Sequence, residues 1–287
     1  MTLKDRLQSK PILLAPGVAD ALTAHLAQRA GAEAIYLSGA SIAYTRLGRP
    51  DIGLVSMSEV VETIHLVRDR VATPLIVDAD NGYGNALNVQ RTVRLFERAG
   101  AAAIQLEDQS YPKRCGHLQE KHLISAQEMV GKIKAACDAR ADRWTLIIAR
   151  TDAVAVEGLE PAIQRAALYR DAGADMLFVE APGSTTELWD IPRRLGDGIP
   201  LMANMVEGGV TPVTNTKVLQ EMGYALAIFP GGVVRAMAHA AAAFYATLMA
   251  DGSSDAFRDQ MFDFQGLNAV IGTPAMLALS QRYKGGA

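Results

Sequence analysis

The sequence is poor in cysteine: Cys115 and Cys137 are the only two in 287 residues. That rules out a disulfide framework and fits a reducing cytosol. Aromatic residues make up only 6%, so stacking platforms for nucleic-acid bases are not expected. There is no surplus of positive charge. The net charge of −3 leaves no basic footprint for nucleic acid. No uninterrupted apolar run reaches the roughly 18–20 residues that a bilayer span requires, so no membrane partner is expected. The opening Met-Thr-Leu-Lys-Asp-Arg-Leu is charged and lacks the apolar stretch of a secretory signal. A cytoplasmic location is the expectation. Linker-like, low-complexity and charge-run segments are missing too. We expect a single domain over 1–287, with a C-terminal helical extension from about Asp251.

What is present is an ordinary globular composition, 49% hydrophobic and 21% charged, with a βα rhythm. Short aliphatic runs predict strands at Ile12–Ala15, Ala34–Ser38, Leu75–Val77, Ala102–Glu107, Thr145–Ala149, Asp175–Val179, Leu201–Ala203 and Ala225–Phe229. Amphipathic segments between them predict helices. They are His25–Ala30 with the residues before it, Ser58–Arg70, Leu87–Ala99, Ser125–Ala139, Leu159–Ala172, Thr186–Leu195, Thr214–Met222 and Val233–Met249. Ser125 with Glu128 reads as a capping box. Gly31, Gly100, Gly173 and Gly223 precede the even strands, where glycine allows a left-handed helix cap. Eight parallel strands with crossover helices fit an α/β fold of the (β/α)8 TIM-barrel type. The rival is a doubly wound sheet. Its glycine-rich phosphate turn is missing after strand one, which reads Ala15-Pro16-Gly17-Val18-Ala19-Asp20.

A barrel builds its active site at the C-terminal ends of its strands. Those ends carry Ser38, Asp78 and Asp80, Glu107 and Asp108, Arg150 and Asp152, Glu180, and Asn204 with Glu207. In an extended chain, Asp78 and Asp80 point to the same side unless a turn starts between them. Two carboxylates aimed at one point call for a cation. Oxygen ligands without a histidine cluster favour Mg²⁺ over zinc. The bland alternative is that both acids cap the turn and the next helix. Arg150 offers a planar fork for a substrate carboxylate. The long loop from Gln109 to Ile124 has the character of a lid. Within it Lys113, Arg114 and His117 flank Cys115, and cationic neighbours would lower its thiol below the usual value of about 8.5. A chemical role is the better reading of Cys115, while Cys137, among alanines, reads as packing. His117 reads either as catalytic or as loop support; His122 and His239 read as structural or exposed.

An ordered set of motifs then carries a resemblance. It comprises Tyr36-Leu37-Ser38-Gly39, Asp78-Ala79-Asp80-Asn81-Gly82-Tyr83-Gly84, Glu107-Asp108-Gln109, Lys113-Arg114-Cys115-Gly116-His117, Ala149-Arg150-Thr151-Asp152 and Asn204-Met205. From near Ala15 to about Arg235 the chain closely resembles the isocitrate lyase/phosphoenolpyruvate mutase superfamily. The resemblance implies a barrel with a swapped C-terminal helix, a homotetramer built as a dimer of dimers, and Mg²⁺ (or Mn²⁺ in its place) as cofactor. It implies that Asp78 and Asp80 hold the metal with Glu107 behind them. Ser38, Gly39 and Ala40 would meet the carboxylate of a pyruvyl group. Asp51, Gly116, Arg150, Glu180, Asn204 and Arg235 match substrate-binding positions. Cys115 would protonate a carbanion as general acid, with Tyr36, Asp51 or a metal-bound water handling the hydroxyl proton.

The implied reaction is Mg²⁺-dependent retro-aldol cleavage of a 2-hydroxy di- or tricarboxylate, of 2-methylisocitrate or dimethylmalate type, to pyruvate and a carboxylic acid. The Lys113–Leu118 and Asn204–Gly209 stretches also resemble carboxyphosphonoenolpyruvate mutases. A mutase, or an oxaloacetate decarboxylase or hydrolase, is therefore the alternative. Phe264 stands where methylisocitrate-cleaving members place an arginine, which points to a smaller and more apolar substrate.

Overall fold

The computed structural model describes residues 2–118, 120–196 and 198–284. Eight parallel strands close into a barrel in sequence order. They are β1 Leu13–Val18, β2 Ile35–Leu37, β3 Leu75–Asp78, β4 Ala103–Glu107, β5 Leu146–Thr151, β6 Met176–Val179, β7 Leu201–Asn204 and β8 Leu226–Phe229. Closure comes from β1 pairing with β8, with Leu13 opposite Leu226. All eight expected strands form, and the doubly wound alternative falls away. The expected helices form as well, with ends fixed by local chemistry. Ser56 and Glu59 make a reciprocal capping box at Met57–Arg70. Ser125 accepts from the Glu128 amide, one arm of the expected box. Gly31, Gly100, Gly173 and Gly223 all sit at positive φ, between 90° and 109°, as a left-handed cap requires.

The alternation of side chains along the strands places the site. One buried cluster holds Leu13, Tyr36, Ile76, Ala103, Ile148, Met176, Phe178, Met202 and Ile228. It fills the barrel interior. A larger cluster, with Leu37, Val77, Ile104, Ile147, Leu177 and Ala203, faces the helices. The inward phase continues by steps of two to Ser38, Asp78, Glu107, Arg150, Glu180 and Asn204. Six of the eight strands, β2 to β7, thus end in a polar inward residue above a barrel interior that is apolar apart from Gln105.

The chain divides into two compact units, Met1–Val234 and Arg235–Ala287. The break falls inside the long helix Gly232–Asp251, earlier than the extension expected from about Asp251. The second unit also contains helices Phe264–Ile271 and Thr273–Tyr283. It leaves Met249, Phe264, Met276 and Tyr283 at 83%, 84%, 63% and 80% exposure. Gly232–Asp251 has a mean hydropathy of 1.3 over an 18-residue window, so by length and composition it is apolar enough to cross a membrane. Its alanines raise the mean across Arg235 and His239, which interrupt any continuous apolar run.

Candidate active site

The acid pair lies at the end of β3. Asp80 has φ 47°, so a turn begins there and the extended-chain argument for a shared direction does not apply. The two carboxylates meet all the same, across Gly39. Asp78 Oδ2 accepts from the Gly39 amide at 3.4 Å. A Cβ on Gly39 would lie 3.2 Å from Asp80 Oδ1 and 3.6 Å from Asp78 Oδ2, so this close approach suits glycine. The Glu107 amide donates to the Asp80 carbonyl at 2.9 Å and ties the turn to β4. Left-handed backbone at a non-glycine residue costs on the order of 1 kcal/mol and gathers at functional sites.

Asp78 is held from two further directions. Its Oδ1 accepts from the Asp80 amide at 3.1 Å and from Gln105 Nε2 at 3.3 Å. Gln105 Oε1 in turn accepts from the Tyr36 hydroxyl at 2.9 Å. Burial, reinforced by Asp78, keeps the Tyr36 phenol well above its ordinary range. Asp80 faces Lys113, whose Nζ is 2.7 Å from Oδ1 without hydrogen-bond geometry and donates to Asp51 Oδ1 at 2.6 Å. Burial, with Asp78 and Asp51, raises the Asp80 carboxyl to about 7, although Lys113 pulls it down.

Arg150 is the second hub. It forms a two-pronged bond with Asp152, 2.9 Å on each arm. It lies 3.4 Å from Glu107 Oε2 and 3.3 Å from Glu180 Oε2. Burial would raise Asp152, but Arg150 and Lys121 outweigh it and hold that carboxyl at about 2. Burial wins at Glu107, which rises well above the carboxylate range despite Arg150. Asn204 Nδ2 donates to both oxygens of Glu180.

The lid loop folds over these groups. The Cys115 amide donates to the Asp51 carbonyl at 3.1 Å. His117 Nδ1 accepts from the Val210 amide at 3.0 Å, and Nε2 lies 3.3 Å from Glu180 Oε1. With Nδ1 occupied as acceptor, the ring proton belongs on Nε2, facing Glu180. The expected lowering of the Cys115 thiol is overturned. Burial pushes it up, and Asp51 and Glu180 add to that, while the His117 amide and Arg150 oppose it. The cations adjacent in sequence are spent elsewhere: Lys113 on Asp51 and Asp80, Arg114 on Glu120.

The structure thus brings together Tyr36, Gly39, Asp51, Asp78, Asp80, Glu107, Cys115, Gly116, His117, Arg150, Glu180 and Asn204. Ser38 is buried and leads into the short helix Gly39–Ile42, which contains Ala40, and its side chain makes no capping bond. Arg235 belongs to the second unit. His122 and His239 are exposed. Sequence reasoning gave no role to Gln105 or Lys121, named Asp152 only as one of the strand-end acids, and treated Lys113 only as a neighbour of the thiol. Gln105 had a signal: it is a polar residue in the inward phase of an otherwise apolar strand.

Among the described residues, no three acidic, histidine or cysteine side chains converge closely enough to form a ready-made metal cage. The donor chemistry nevertheless fits a hard divalent cation. Asp51, Asp78, Asp80, Glu107, Asp152 and Glu180 are buried against Lys113, Lys121 and Arg150. Glu107 Oε1 has no hydrogen-bond partner among the described residues. Buried carboxylates in excess must take up protons or a cation.

Residues 3–249 match the phosphoenolpyruvate phosphomutase family. The chain is 47% identical over 272 residues to a 2-methylisocitrate lyase of Aeropyrum pernix, covering 95% of this chain and 87% of that protein. It is 38% identical over 286 residues to a 2,3-dimethylmalate lyase of Eubacterium barkeri, covering 99% and 98%. A crystal structure of 2,3-dimethylmalate lyase superposes with a TM-score of 0.92 at 33% identity, over 99% of this chain and 97% of that one. Phosphonopyruvate hydrolase, solved with oxalate and Mg²⁺, superposes with a TM-score of 0.88 at 30% identity, over 99% of both chains. With this barrel and these carboxylates, the chain belongs to the phosphoenolpyruvate phosphomutase family, an enzyme family of the isocitrate lyase/phosphoenolpyruvate mutase superfamily.

Proposed function

We propose that this enzyme is a Mg²⁺-dependent carbon–carbon lyase acting on a 2-hydroxy dicarboxylate, with pyruvate and a carboxylic acid as products. The observation that carries this reading is the half-buried Cys115, whose amide bonds the Asp51 carbonyl and whose neighbour Gly116 packs on Arg150 and Glu180, so that the thiol segment lies against the buried charge network. Asp78 and Asp80 would hold Mg²⁺ with Glu107 beside them. When bound, the ion supplies Lewis-acid stabilisation of negative charge on the substrate oxygens. The backbone around Ser38, Gly39 and Ala40 orients the pyruvyl carboxylate.

The cleavage balances as follows. A base takes the 2-hydroxyl proton, the carbon–carbon bond breaks as the carbonyl forms, and the electron pair stays on the departing carbon. Cys115 delivers its proton to that carbon as general acid. Tyr36 is ill suited as the base, because its hydroxyl donates to Gln105 and resists ionisation. Asp51 is the better side chain for the step. Phe264 supports a methylated malate over a tricarboxylate. The exposed apolar side chains of Arg235–Ala287 support a homotetramer with exchanged C-terminal helices. A cytoplasmic location accords with this metabolic role.

The test is a pyruvate-coupled assay over malate derivatives, isocitrates and oxaloacetate, with and without EDTA. Pyruvate from a methylated malate, lost with EDTA, is expected. No pyruvate from any of them, with phosphorus transfer seen by phosphorus NMR on phosphonopyruvate, would establish a mutase instead. A kcat/KM for methylisocitrate above every dicarboxylate would overturn the substrate assignment.

A further inference from the structure

Lys121 is a buried cation to which the proposed reaction gives no role. Its side chain is 1% exposed. An ammonium at that depth is costly unless it is paired and hydrogen-bonded. Its Nζ has two partners, Asp152 Oδ1 at 3.1 Å and the carbonyl of Gly116. Asp152 has no exposed side-chain surface; its carboxylate also accepts the two-pronged bonds from Arg150, and its amide donates to Asp108 Oδ1 at 2.9 Å. Gly116 is also confined on its other side. A Cβ there would run into Arg150 Nη2 and stand 2.6 Å from Glu180 Cγ. Gly116 is thus seated between the Lys121 ammonium and the Arg150–Glu180 pair, with Cys115 and His117 on either side of it in the chain. The base of the loop is anchored separately, by the bond from the Ser110 amide to the His122 carbonyl at 2.8 Å and the Gln109–Leu123 bridge. Two side chains therefore tie the fixed base to the segment that carries the thiol: Gln109, which bonds the amide and the carbonyl of Arg114 just before Cys115, and Lys121, which holds the Gly116 carbonyl just after it.

We infer that Lys121 is a positioning residue: its ammonium, bonded to both Asp152 and the Gly116 carbonyl, holds Cys115 in place beside Asp51 and the Arg150–Glu180 pair. The inference rests on the reading of Cys115 as general acid, but the tie itself can be measured without substrate. In a Cys137→Ala background, iodoacetamide reports on Cys115 alone. Lys121→Met keeps the length of the side chain and removes the ammonium. Alkylation of Cys115 is expected to speed up at least about tenfold, as the loop spends more time away from Arg150 and Glu180. With substrate, kcat should fall by on the order of 100-fold, the scale of a small misplacement of a reacting group, while KM stays within about threefold. Lys121→Gln, which keeps one donor for the Gly116 carbonyl, should fall between the two. An alkylation rate in Lys121→Met equal to that of the parent overturns the inference, whatever the activity. If Lys121→Met does not fold, the same equality in Lys121→Gln overturns it. Loss of folding in both variants overturns it too, since the role would then be stability of the barrel. Faster alkylation in a protein whose parent cleaves no tested acid leaves the tie standing and removes the lyase reading.

Discussion

At the scale of single residues, the structure replaces sequence neighbours with spatial ones. Cys115 follows Lys113 and Arg114 in the chain, yet both cations point their charge at other carboxylates. Burial then decides the thiol's behaviour and raises it. A raised thiol suits proton delivery and not nucleophilic attack. Cys115→Ser should abolish cleavage, a loss of at least about 10³-fold, yet leave Mg²⁺ binding by calorimetry unchanged; full activity would remove Cys115 from the mechanism. The pH–rate profile should hold its alkaline limb above the free-thiol value of about 8.5; a limb below that value would contradict a thiol raised by burial. That Cys115 belongs to the loop packed against the strand-end charges was legible in the sequence. The sign of its shift was not, because it depends on which carboxylates surround it after folding.

At the scale of elements, the alternation of β4 does the work. Ala103, Gln105 and Glu107 face inward, while Ile104 and Leu106 face the helices. Gln105 links the Tyr36 hydroxyl on β2 to Asp78 on β3, so three adjacent strands fix one carboxylate. Groups that orient a metal-binding side chain typically contribute 10–100-fold in affinity. Gln105→Met, close in volume and unable to bond either partner, should weaken Mg²⁺ binding by that factor in a calorimetric titration. Unaltered affinity would make the link structural only. The strand pattern was readable in sequence because apolar runs and flanking glycines are local signals. The turn at Asp80 was not, since its left-handed backbone is stabilised by the bond from Glu107, on a different strand.

At the scale of the whole molecule, the buried charge network couples the site to stability. Asp152 is held at about 2, below the ordinary 3.8. A depressed acid contributes stability that is fully present above the unfolded value and is lost as pH falls through the folded one. Asp152→Asn should therefore lower the urea midpoint at pH 6, with a deficit on the order of 2 kcal/mol from this term. The deficit should narrow as pH falls from about 4 to about 2; a constant gap would show that Asp152 stays ionised throughout. The sequence by itself determined the barrel, the order of its strands, the polar ring at their C-terminal ends and the lid cysteine, because periodicity, capping and short motifs are properties of neighbouring residues. Only the tertiary structure decided how the carboxylates share their cations: Lys113 between Asp51 and Asp80, Arg150 among Glu107, Asp152 and Glu180, and Lys121 between Asp152 and the lid. Those pairings join residues distant in the chain, and charge energies in a low-dielectric interior depend on distance and burial, which no local pattern encodes.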